Sequence, residues 1–524
     1  MPAILIVALV FSEIQWSTPN IIGVDGYYHI KIAEVMRLAV IPAPIYFPWL
    51  QLTILNPAQF TDHHLLFHIL LEPFTLLDLR VGAKLAGASF ASLAALVVYA
   101  LMVWQKVRWS FLWLLLLFGV SGAFLYRLSM TRRQSLVLLL LIVLIAVAFS
   151  RRDRLVLLVG FVFSWVYDGF LLFMAVAALL TIGRWVDDGV FEASAHWLLS
   201  AIRGERRWAG WLTLLAWCRQ HVGCLALFGF ATTGVLLGLI VNPYSPRSLS
   251  FAIEHALPKL VPTGDFVIGV GNEWYPYSHT ALVRAAGASL FTVVVGMIPL
   301  LATLRSERRW DGRVIGLMLI ALFFTILLLR SRRFVEYQPA FAVLFCAFAW
   351  TFQVPEAART WLSARAPKWA SVAVWLVLLM GVVLLIRPSI ATAQSSARSS
   401  RAADLYAGAA FWLQANTPAG SRVFTTDWDD FPMLFFHNVH NSYLVGLDPT
   451  YMYQHDPSLY TTWRAITRGQ LSAPGAIIRD RFDSRFVLTD RAHASFFDAA
   501  AADPGMRIVY RDASAIIFAI DPAP

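Results

Sequence analysis

The sequence predicts a polytopic α-helical membrane protein with a C-terminal extracytoplasmic α/β domain. Hydrophobic residues make up 58% of the 524 residues and charged ones only 14%, and the mean hydropathy is +0.63. A soluble domain has roughly 45–50% apolar residues. The 20 Trp, 16 Tyr and 37 Phe suit a chain that crosses the membrane interface many times, because amphipathic rings favour the headgroup level. After Arg387-Pro388 the long apolar runs stop, which marks the second domain.

Apolar runs of helical length predict about 11 transmembrane helices within a membrane domain, 1–390. Several runs are shorter than the roughly 20 residues that a straight crossing needs. The predicted spans lie near 1–12, 82–104, 110–126, 135–150, 155–167, 169–182, 222–241, 281–303, 314–330, 336–352 and 370–387.

The basic residues predict the orientation of these spans. With a cytoplasmic N-terminus, every inside segment is basic, as the positive-inside rule requires: 106–108, 151–154, the stretch around 203–207, 305–313 and 359–368. The loops 13–80 and 242–280 and the C-terminal domain then lie on the periplasmic or extracytoplasmic side of the inner membrane. Because the net charge of +10 follows from Lys and Arg at the ends of apolar runs, no nucleic-acid partner is predicted.

Two groups of arginines fall on the outside and break this rule. They are Arg127 with Arg132-Arg133, and Arg330 with Arg332-Arg333. One interpretation is that they snorkel to the interface or that a span is miscounted. The other is that their guanidinium groups bind the phosphate of a lipid-linked substrate.

The first outside loop carries the densest polar motifs. Asp25 and His29 are spaced i, i+4 and share a face if the segment is helical, although Asp25 is equally suited to cap that helix. Asp62-His63-His64 follows, and His64, His68 and Glu72 stand at i, i+4 and i+8. This spacing resembles a metal site, and it is also that of an ordinary polar helix face. Oxygen ligands favour Mg²⁺ or Mn²⁺, whereas the imidazoles also suit zinc.

Two further acids stand beside apolar segments. Asp168, in Tyr-Asp-Gly, is either an embedded functional residue or part of a short outside turn. Glu273 lies in Gly271–Pro276 of the second outside loop, which by itself has the composition of an ordinary Gly/Pro-rich turn.

The C-terminal region consists of a linker, 391–401, and a soluble α/β domain, 402–524. Ala402–Ala415 has a helical pattern that ends at Asn416-Thr417-Pro418. Ser421–Thr426, Arg485–Thr489, Met506–Tyr510 and Ala513–Ala519 have strand patterns. No Walker loop, dinucleotide motif or internal repeat occurs in the sequence, which disfavours a nucleotide-driven pump.

Taken in order, these motifs resemble the catalytic subunit of oligosaccharyltransferases and, more broadly, the GT-C class of membrane glycosyltransferases. Asp25-Gly26-Tyr27-Tyr28 matches the first acidic motif of the family, whose Asp coordinates the metal and engages the acceptor. Glu273 in Glu-Trp-Tyr-Pro is similar to the glutamate of the fifth outside loop. Asp427–Phe431 resembles the WWDYG acceptor motif in its middle Trp-Asp, and Arg333-Phe334 resembles the conserved arginine that assists the lipid-linked donor.

The resemblance implies an inverting transferase that moves a sugar or oligosaccharide from a polyprenyl-(pyro)phosphate donor to a protein, lipid or polysaccharide acceptor outside the cytoplasmic membrane. Its expected catalytic residues are Asp25, Asp62 and Glu273, and its expected substrate-binding residues are Tyr28, Arg127, Arg333, Trp428 and Asp429. A Mg²⁺ or Mn²⁺ ion held by Asp25, Asp62, His63 and His64 is expected as cofactor, with a metal-independent mechanism left open.

The sequence departs from the family in two places. The stretch Arg127–Ser135, where members carry a second acidic motif, has no acid, and the first Trp and the Tyr-Gly of WWDYG are Asp427 and Asp430-Phe431. Three other functions therefore stay open: single-sugar transfer to a lipid or polysaccharide by the same fold, transport of polyprenyl-linked glycans, and a scaffold that binds cell-wall components. Transport would predict symmetry between halves, which the sequence lacks.

Overall fold

The computed structural model describes residues 1–39, 43–190, 225–260, 271–303, 309–354 and 368–522. Helices dominate the first 398 residues, and a small sheet follows. The helical membrane part and the small C-terminal α/β domain that the sequence predicts are both confirmed.

The membrane part is built from helices whose sequences are apolar on most sides, as expected of helices packed in an apolar medium. We number the helices in chain order. Those of the membrane part are α1 Pro2–Gln15, α4 Leu79–Trp104, α5 Ser110–Gly119, α6 Gly122–Ser129, α7 Gln134–Phe149, α8 Arg154–Val166, α9 Phe170–Asp187, α10 Ala226–Val241, α12 His279–Thr303, α13 Gly312–Arg330, α14 Gln338–Phe348 and α15 Lys368–Arg398.

Shorter helices lie between these spans and in the outer loops. They are α2 Asp25–Leu38, α3 Leu65–Leu71, α11 Arg247–Leu260, the 3₁₀ turns Glu72–Leu76, Asn272–Trp274 and Arg332–Glu336, and a π-helical turn, Ala349–Gln353.

Each of the 11 predicted spans corresponds to helical structure. Four helices, α4, α9, α12 and α13, are long and apolar enough to cross a membrane by length and composition, within the described residues. A fifth is added if α5 and α6 count as one broken span. The protein is thus a multi-pass membrane protein, while the number of 11 crossings stays a prediction.

One predicted span consists of two helices. The run 110–126 is not a straight helix, because α5 and α6 meet at 88°. Ser121 has an extended backbone and its Oγ accepts a hydrogen bond from the Phe124 amide, which starts α6 as a new helix in the way that serine caps do. The C-terminal end of α6 and the loop after it thereby face the outer elements.

The C-terminal domain is a five-stranded mixed sheet with helices packed around it. The strands are β1 Arg422–Thr425, β2 Ser442–Tyr443, β3 Phe486–Thr489, β4 Met506–Arg511 and β5 Ile516–Ile520. Their order is β2-β1-β3-β5-β4, with β1 parallel to β2 and β3, and β5 antiparallel to β3 and β4. The helices are α16 Ala407–Asn416, α17 Phe431–His437, α18 Thr450–His455, α19 Pro457–Thr467, α20 Pro474–Phe482 and α21 Ala494–Ala501.

Two boundaries differ from the sequence prediction. Helix α15 continues to Arg398, so most of the predicted linker, 391–401, is helical. The helix predicted at Ala402 begins only at Ala407, because Tyr406 has a left-handed backbone with φ 64° that interrupts any helix. The short strand β2 was not predicted, since two residues carry no detectable alternation.

The C-terminal domain packs directly on the segment 13–80, which is the predicted first outside loop. Phe431 and Phe435 of α17 lie against Tyr28 of α2, with ring centroids 6.1 and 5.7 Å away. The Trp49 indole donates to the Val439 carbonyl at 2.8 Å, and the Tyr443 amide donates to the Trp49 carbonyl at 2.8 Å. The aromatic residues among these belong to one apolar core that continues into the membrane helices.

Candidate active site

Three arginines come together at one end of several membrane helices. Arg127 lies in the last turn of α6, Arg132 lies in the turn between α6 and α7, and Arg333 lies in the 3₁₀ turn between α13 and α14. A cation in the last turn of a helix is favoured by the partial negative charge of the helix C-terminus, which suits Arg127 to its position.

Two glutamates neutralise part of this positive charge. Arg127 Nη1 donates to Glu273 Oε2 at 2.8 Å, and Arg127 Nη2 donates to Glu336 Oε2 at 2.8 Å. Arg132 Nη1 reaches Glu273 Oε2 at 3.4 Å, and Arg333 Nη1 reaches Glu273 Oε1 at 3.0 Å. We call Arg127, Arg132, Arg333, Glu273 and Glu336 the charged cluster. Its arginine side chains are 10–12% exposed, whereas Glu273 is 24% exposed, so the cluster is largely buried and opens to solvent at Glu273.

The second outside loop places Glu273 in the cluster through its backbone. The Ser331 hydroxyl donates to the Glu273 carbonyl at 2.8 Å, and the Arg332 amide donates to the Tyr275 carbonyl at 3.1 Å. The Trp274 ring lies 4.7 Å from the Arg333 guanidinium carbon. This is therefore more than an ordinary Gly/Pro-rich turn.

Glu273 is held in its ionised form. Burial by itself raises the pKa of the Glu273 carboxyl, but the charges of Arg127, Arg132 and Arg333 outweigh burial and hold the pKa well below its usual range. Glu273 is therefore an anion at any physiological pH and an unsuitable proton acceptor near neutrality.

Asp25 joins the cluster through Arg132. It opens α2, and its Oδ2 lies 3.0 Å from Arg132 Nη2. The interpretation of Asp25 as a helix cap is wrong, because Val24 holds the cap position and no side chain bonds there. The Asp25 side chain is 30% exposed. The Asp25 carboxylate thus contacts Arg132 through one oxygen and is partly accessible to solvent.

Asp62 belongs to a separate buried chain of polar groups. Asp62 Oδ2 lies 2.7 Å from His68 Nδ1, and His68 Nε2 lies 2.8 Å from His29 Nδ1. The other oxygen, Oδ1, accepts from the His64 amide at 3.0 Å. Asp62, His68 and His29 are each at most 3% exposed. His29 thus faces His68 rather than Asp25, and this chain fixes α3 against α2.

The residues present do not fit a divalent metal centre. Within the described ranges, no group of three or more His, Cys, Asp or Glu side chains is placed to hold a metal ion. Asp25, Asp62, His63 and His64 do not form the predicted ligand set, because Asp25 is paired with Arg132 and Asp62 with His68. The helical spacing of His64, His68 and Glu72 is likewise no metal site here.

The predicted acceptor-side residues lie near the cluster. A Cβ atom on Gly271 would be 3.8 Å from Trp428 Cη2, so Trp428 borders the loop that carries Glu273. Asp429 Oδ2 accepts from Arg401 Nη2 at 2.8 Å. Burial raises the pKa of Asp429 to about 7, the Arg401 charge opposes the rise, and the Asp25 charge adds to it.

Tyr28 is buried, unlike a residue that contacts a substrate at the surface. It is 4% exposed, and its ring is 5.9 Å from His68.

Asp168, which the sequence predicts to be embedded or in a turn, follows the end of α8 at Val166 and is 7% exposed.

Sequence reasoning missed Arg132, Glu336 and Arg401 as members of the site. Arg132 carried a signal, since it is one of the outside arginines that break the charge rule. Glu336 and Arg401 carried none, because only the fold brings them to Arg127 and Asp429.

A cleft elsewhere contains none of the predicted site residues. It has a volume of 490 Å³ and is lined by Ile54, Gln59, Arg247, Ile253, Glu254, Gln454 and His455. The chemistry-bearing groups lie instead around the charged cluster.

Solved structures identify the fold. The archaeal oligosaccharyltransferase AglB from Archaeoglobus fulgidus, in complex with an inhibitory peptide and a dolichol-phosphate, matches with a TM-score of 0.64 and 14% identity over 99% of this chain and 74% of that chain. ArnT from Cupriavidus metallidurans, bound to undecaprenyl phosphate, matches with a TM-score of 0.51 and 15% identity over 98% of this chain and 97% of that chain. The chain has the GT-C glycosyltransferase fold.

Sequence comparison adds no closer relative to this GT-C fold. No family model matches the chain, and no curated protein does. At 14–15% identity the likeness to the solved structures concerns the fold, and residue roles have to be argued from the charged cluster itself.

Proposed function

We propose that this chain is a membrane glycosyltransferase that moves a sugar or oligosaccharide from a polyprenyl-(pyro)phosphate donor to an acceptor outside the cytoplasmic membrane. The observation that carries the proposal is the meeting of Asp25 with the charged cluster, where Arg132 contacts both Asp25 and Glu273. A carboxylate beside clustered guanidinium groups is what acceptor activation and phosphate departure require.

The arginines supply the donor site. Guanidinium groups bind phosphate oxygens through paired N–H donors, and Arg127 and Arg333 project into one region from different helices. AglB and ArnT were solved with dolichol-phosphate and undecaprenyl phosphate respectively, which supports a polyprenyl phosphate as the lipid. On this proposal the phosphate lies at the outer membrane interface against Arg127 and Arg333.

Asp25 acts on the acceptor. It takes the proton of an acceptor hydroxyl or amide while the acceptor atom forms a bond to the anomeric carbon of the donor sugar. The bond from that carbon to the phosphate oxygen breaks, and its electron pair leaves with the phosphate, whose charge Arg127 and Arg333 stabilise. Attack opposite to the leaving phosphate inverts the anomeric configuration.

The other predicted residues have positioning roles in this scheme. Glu273 holds the second outside loop over the site through its three arginine contacts, in the manner of a substrate-covering loop. Trp428 and Asp429 border the same loop and contact the acceptor, and Tyr28 supports Asp25 from within α2. Asp62 acts at a distance, because its buried contacts with His68 fix the first outside loop.

Replacing Asp25 tests the proposal directly. Asp25→Asn keeps the size of the side chain but removes the proton acceptor, so we expect transfer of donor sugar to fall at least about 100-fold, with the melting temperature nearly unchanged. Glu34→Gln is the matched control, since it removes another partly exposed carboxylate of α2, paired with Lys31 at 2.7 Å. Full activity of Asp25→Asn in membranes would overturn the assignment.

A second acceptor class is favoured by one observation. Asp429, the acid of the acceptor-like motif, is already ion-paired with Arg401, which disfavours recognition of a protein asparagine. Transfer of a single sugar to a lipid or polysaccharide by the same site is the alternative. Mass spectrometry of a deletion strain separates the two, because altered lipid or polymer with unchanged glycopeptides supports the alternative.

The extracytoplasmic placement of the site is part of the proposal. We expect a single cysteine at Gly420, in the outer domain, to react with a membrane-impermeant maleimide in intact cells. A cysteine at Arg151, between α7 and α8, is expected to react only after permeabilisation. The opposite pattern would invert the topology and remove extracytoplasmic acceptors from consideration.

A further inference from the structure

Arg132 occupies a position between two carboxylates that come from separate outside loops. Its Nη2 lies 3.0 Å from Asp25 Oδ2, and its Nη1 lies 3.4 Å from Glu273 Oε2. A cation that bridges an acid of the first outside loop to an acid of the second is what a divalent ion does in a two-carboxylate site. We propose that the guanidinium of Arg132 replaces such an ion in this protein, and this inference rests on the proposed function.

The sequence around Arg132 is consistent with a built-in cation. The stretch Arg127–Ser135 has three arginines and no acid. An ion held by Asp25 would meet the positive charge of Arg132 at contact distance, and this repulsion is strong even at a moderate effective dielectric constant. Asp25 and Arg132 therefore already form the charge pair that an ion would have to displace.

The Nε–H donor of Arg132 remains available for a substrate. The Nε atom is buried and has no hydrogen-bond partner within the described residues. A guanidinium carries five N–H donors and leaving one unmet in a buried place is costly. With Nη1 and Nη2 directed to the two acids, Nε is left to donate to an oxygen of a bound molecule.

A phosphate oxygen is the ligand that best suits this donor. The three arginines are balanced by Asp25, Glu273 and Glu336, so a phosphate oxygen is bound there by the directed Nε–H donor and not by a net positive charge. Arg132 thereby contacts the proton acceptor, the loop glutamate and the leaving phosphate together, which are the three groups that a catalytic ion would join. Since arginine stays protonated at all physiological pH values, this cation needs neither supply from solution nor a defined ligand geometry.

The alternative that Arg132 snorkels to the headgroups disagrees with its burial. Its side chain is only 12% exposed, whereas a snorkelling arginine exposes its charged end to water or headgroups. The remaining alternative is that Arg132 only holds the second outside loop in place. In that case Arg132 makes no contact with the donor, and its replacement changes donor binding only by displacing the loop.

The first test measures metal binding and does not depend on transfer activity. Purified full-length protein in phosphatidylcholine nanodiscs is titrated with Mn²⁺ and free Mn²⁺ is followed by electron paramagnetic resonance. We expect wild type and Asp25→Asn to give the same non-saturating background. A saturable Mn²⁺ site in wild type that Asp25→Asn removes would overturn the inference.

The second test measures binding of undecaprenyl phosphate in the presence of EDTA by native mass spectrometry. We expect wild type to bind, Arg132→Gln to bind at least about tenfold more weakly because a charged contact is lost, and Arg132→Lys to recover part of the difference. Arg152→Gln, in the exposed turn between α7 and α8, should bind as wild type does. Equal affinities of wild type and Arg132→Gln would overturn the inference.

The two tests separate this inference from the proposed function. If wild type binds no undecaprenyl phosphate with or without Mn²⁺, the proposed donor is wrong, whereas the Mn²⁺ titration still decides whether Asp25 holds an ion. Thermal melting of each variant shows whether it is folded. Arg132→Lys keeps the test valid if Arg132→Gln is unstable, because it retains the charge beside Asp25.

Discussion

Arg127 forms ion pairs with two glutamates that differ in solvent exposure. Glu336 is 3% exposed and lies in the same 3₁₀ turn as Arg333, whereas Glu273 is 24% exposed and lies on an outer loop. A buried charge that loses its partner is far more costly than one that water can reach. We therefore expect Glu336 to contribute mainly to stability and Glu273 mainly to function.

Replacing each glutamate by alanine tests this division. Glu336→Ala leaves Arg127 short of a buried partner, so we expect a loss of about 3–5 kcal/mol of stability and a melting temperature lower by several degrees. Glu273→Ala should cost about 1 kcal/mol, as partly exposed pairs do, but should reduce transfer. Differential scanning fluorimetry in detergent measures the melting temperatures of the two variants, and equal shifts would contradict the assignment.

The sequence predicts which single residues belong to the site better than it predicts which side chains they contact. Asp25, Glu273, Arg127 and Arg333 stood out because charges are rare in this chain, and the fold brings them to one cluster. The predicted metal set did not form, because Asp25 pairs with Arg132 and Asp62 pairs with the imidazole of His68. Which partner a charged side chain selects depends on contacts distant in sequence, and spacing along one segment does not contain that information.

Helix α6 owes its position to a close contact with α15. A Cβ atom on Gly122 would lie 2.6 Å from the Ser389 carbonyl oxygen and 2.7 Å from Thr392 Cβ. Only glycine allows the two helices to approach this closely. The contact sets where Arg127, at the far end of the same helix, meets Glu273 and Glu336.

Gly122→Ala should therefore disturb the site from a distance. Overpacking of this kind costs about 1–3 kcal/mol, and we expect a lower melting temperature together with reduced transfer. Gly381→Ala in α15 is the control, because a Cβ there meets nothing within 4 Å and alanine favours a helix by up to about 1 kcal/mol. A Gly122→Ala protein as stable and active as the control would show that the contact is not needed.

The turn between β1 and α17 contains an acid that is buried at a cost. Asp430 is 2% exposed, and burial raises its pKa to about 7, with the nearby Asp427 charge adding to the rise and Arg401 opposing it. The unfolded chain has the ordinary value of 3.8. Between these values the folded protein binds more protons than the unfolded one.

Stability should consequently depend on pH in a defined direction. Because the folded state takes up the proton, the contribution of Asp430 to stability is fully present below pH 3.8 and is lost as the pH rises from there through about 7. We expect the melting temperature to fall from pH 5 to pH 8 in wild type and to fall less in Asp430→Asn. Identical pH profiles for the two proteins would rule out Asp430 as the source.

Elements are predicted well where apolar periodicity is long and poorly where a single residue decides. All predicted spans contain helix, but the 88° break between α5 and α6 depends on Ser121 and on packing against α15. The late start of α16 depends on the backbone of Tyr406. Strand β2 exists because it pairs with β1, a partner that no local pattern reveals.

In the whole molecule, the outer domain and the membrane part share one apolar core. Phe435 is fully buried and lies 5.0 Å from the Trp49 ring of the first outside loop. The domain is therefore held by contacts across its base, and not only by its covalent connection to α15.

Cutting the chain tests how firmly the two parts are held. With a specific protease site inserted after Ser399, we expect the cleaved halves to co-elute in size-exclusion chromatography. Phe435→Ala, which should cost about 3–5 kcal/mol of packing, is expected to release the outer fragment after cleavage. Separation of the wild-type halves on cleavage would show that the shared core contributes little.

Helix α15 has 31 residues and is about 46 Å long at 1.5 Å per residue. It packs against α5 and α6, and it leads directly to Arg401, which holds Asp429. In a thinner or thicker bilayer such a helix changes its tilt. Since this one helix contacts α6 and leads to the loop of Asp429, we expect the rate of the proposed transfer to change with the lipid chain length of the bilayer.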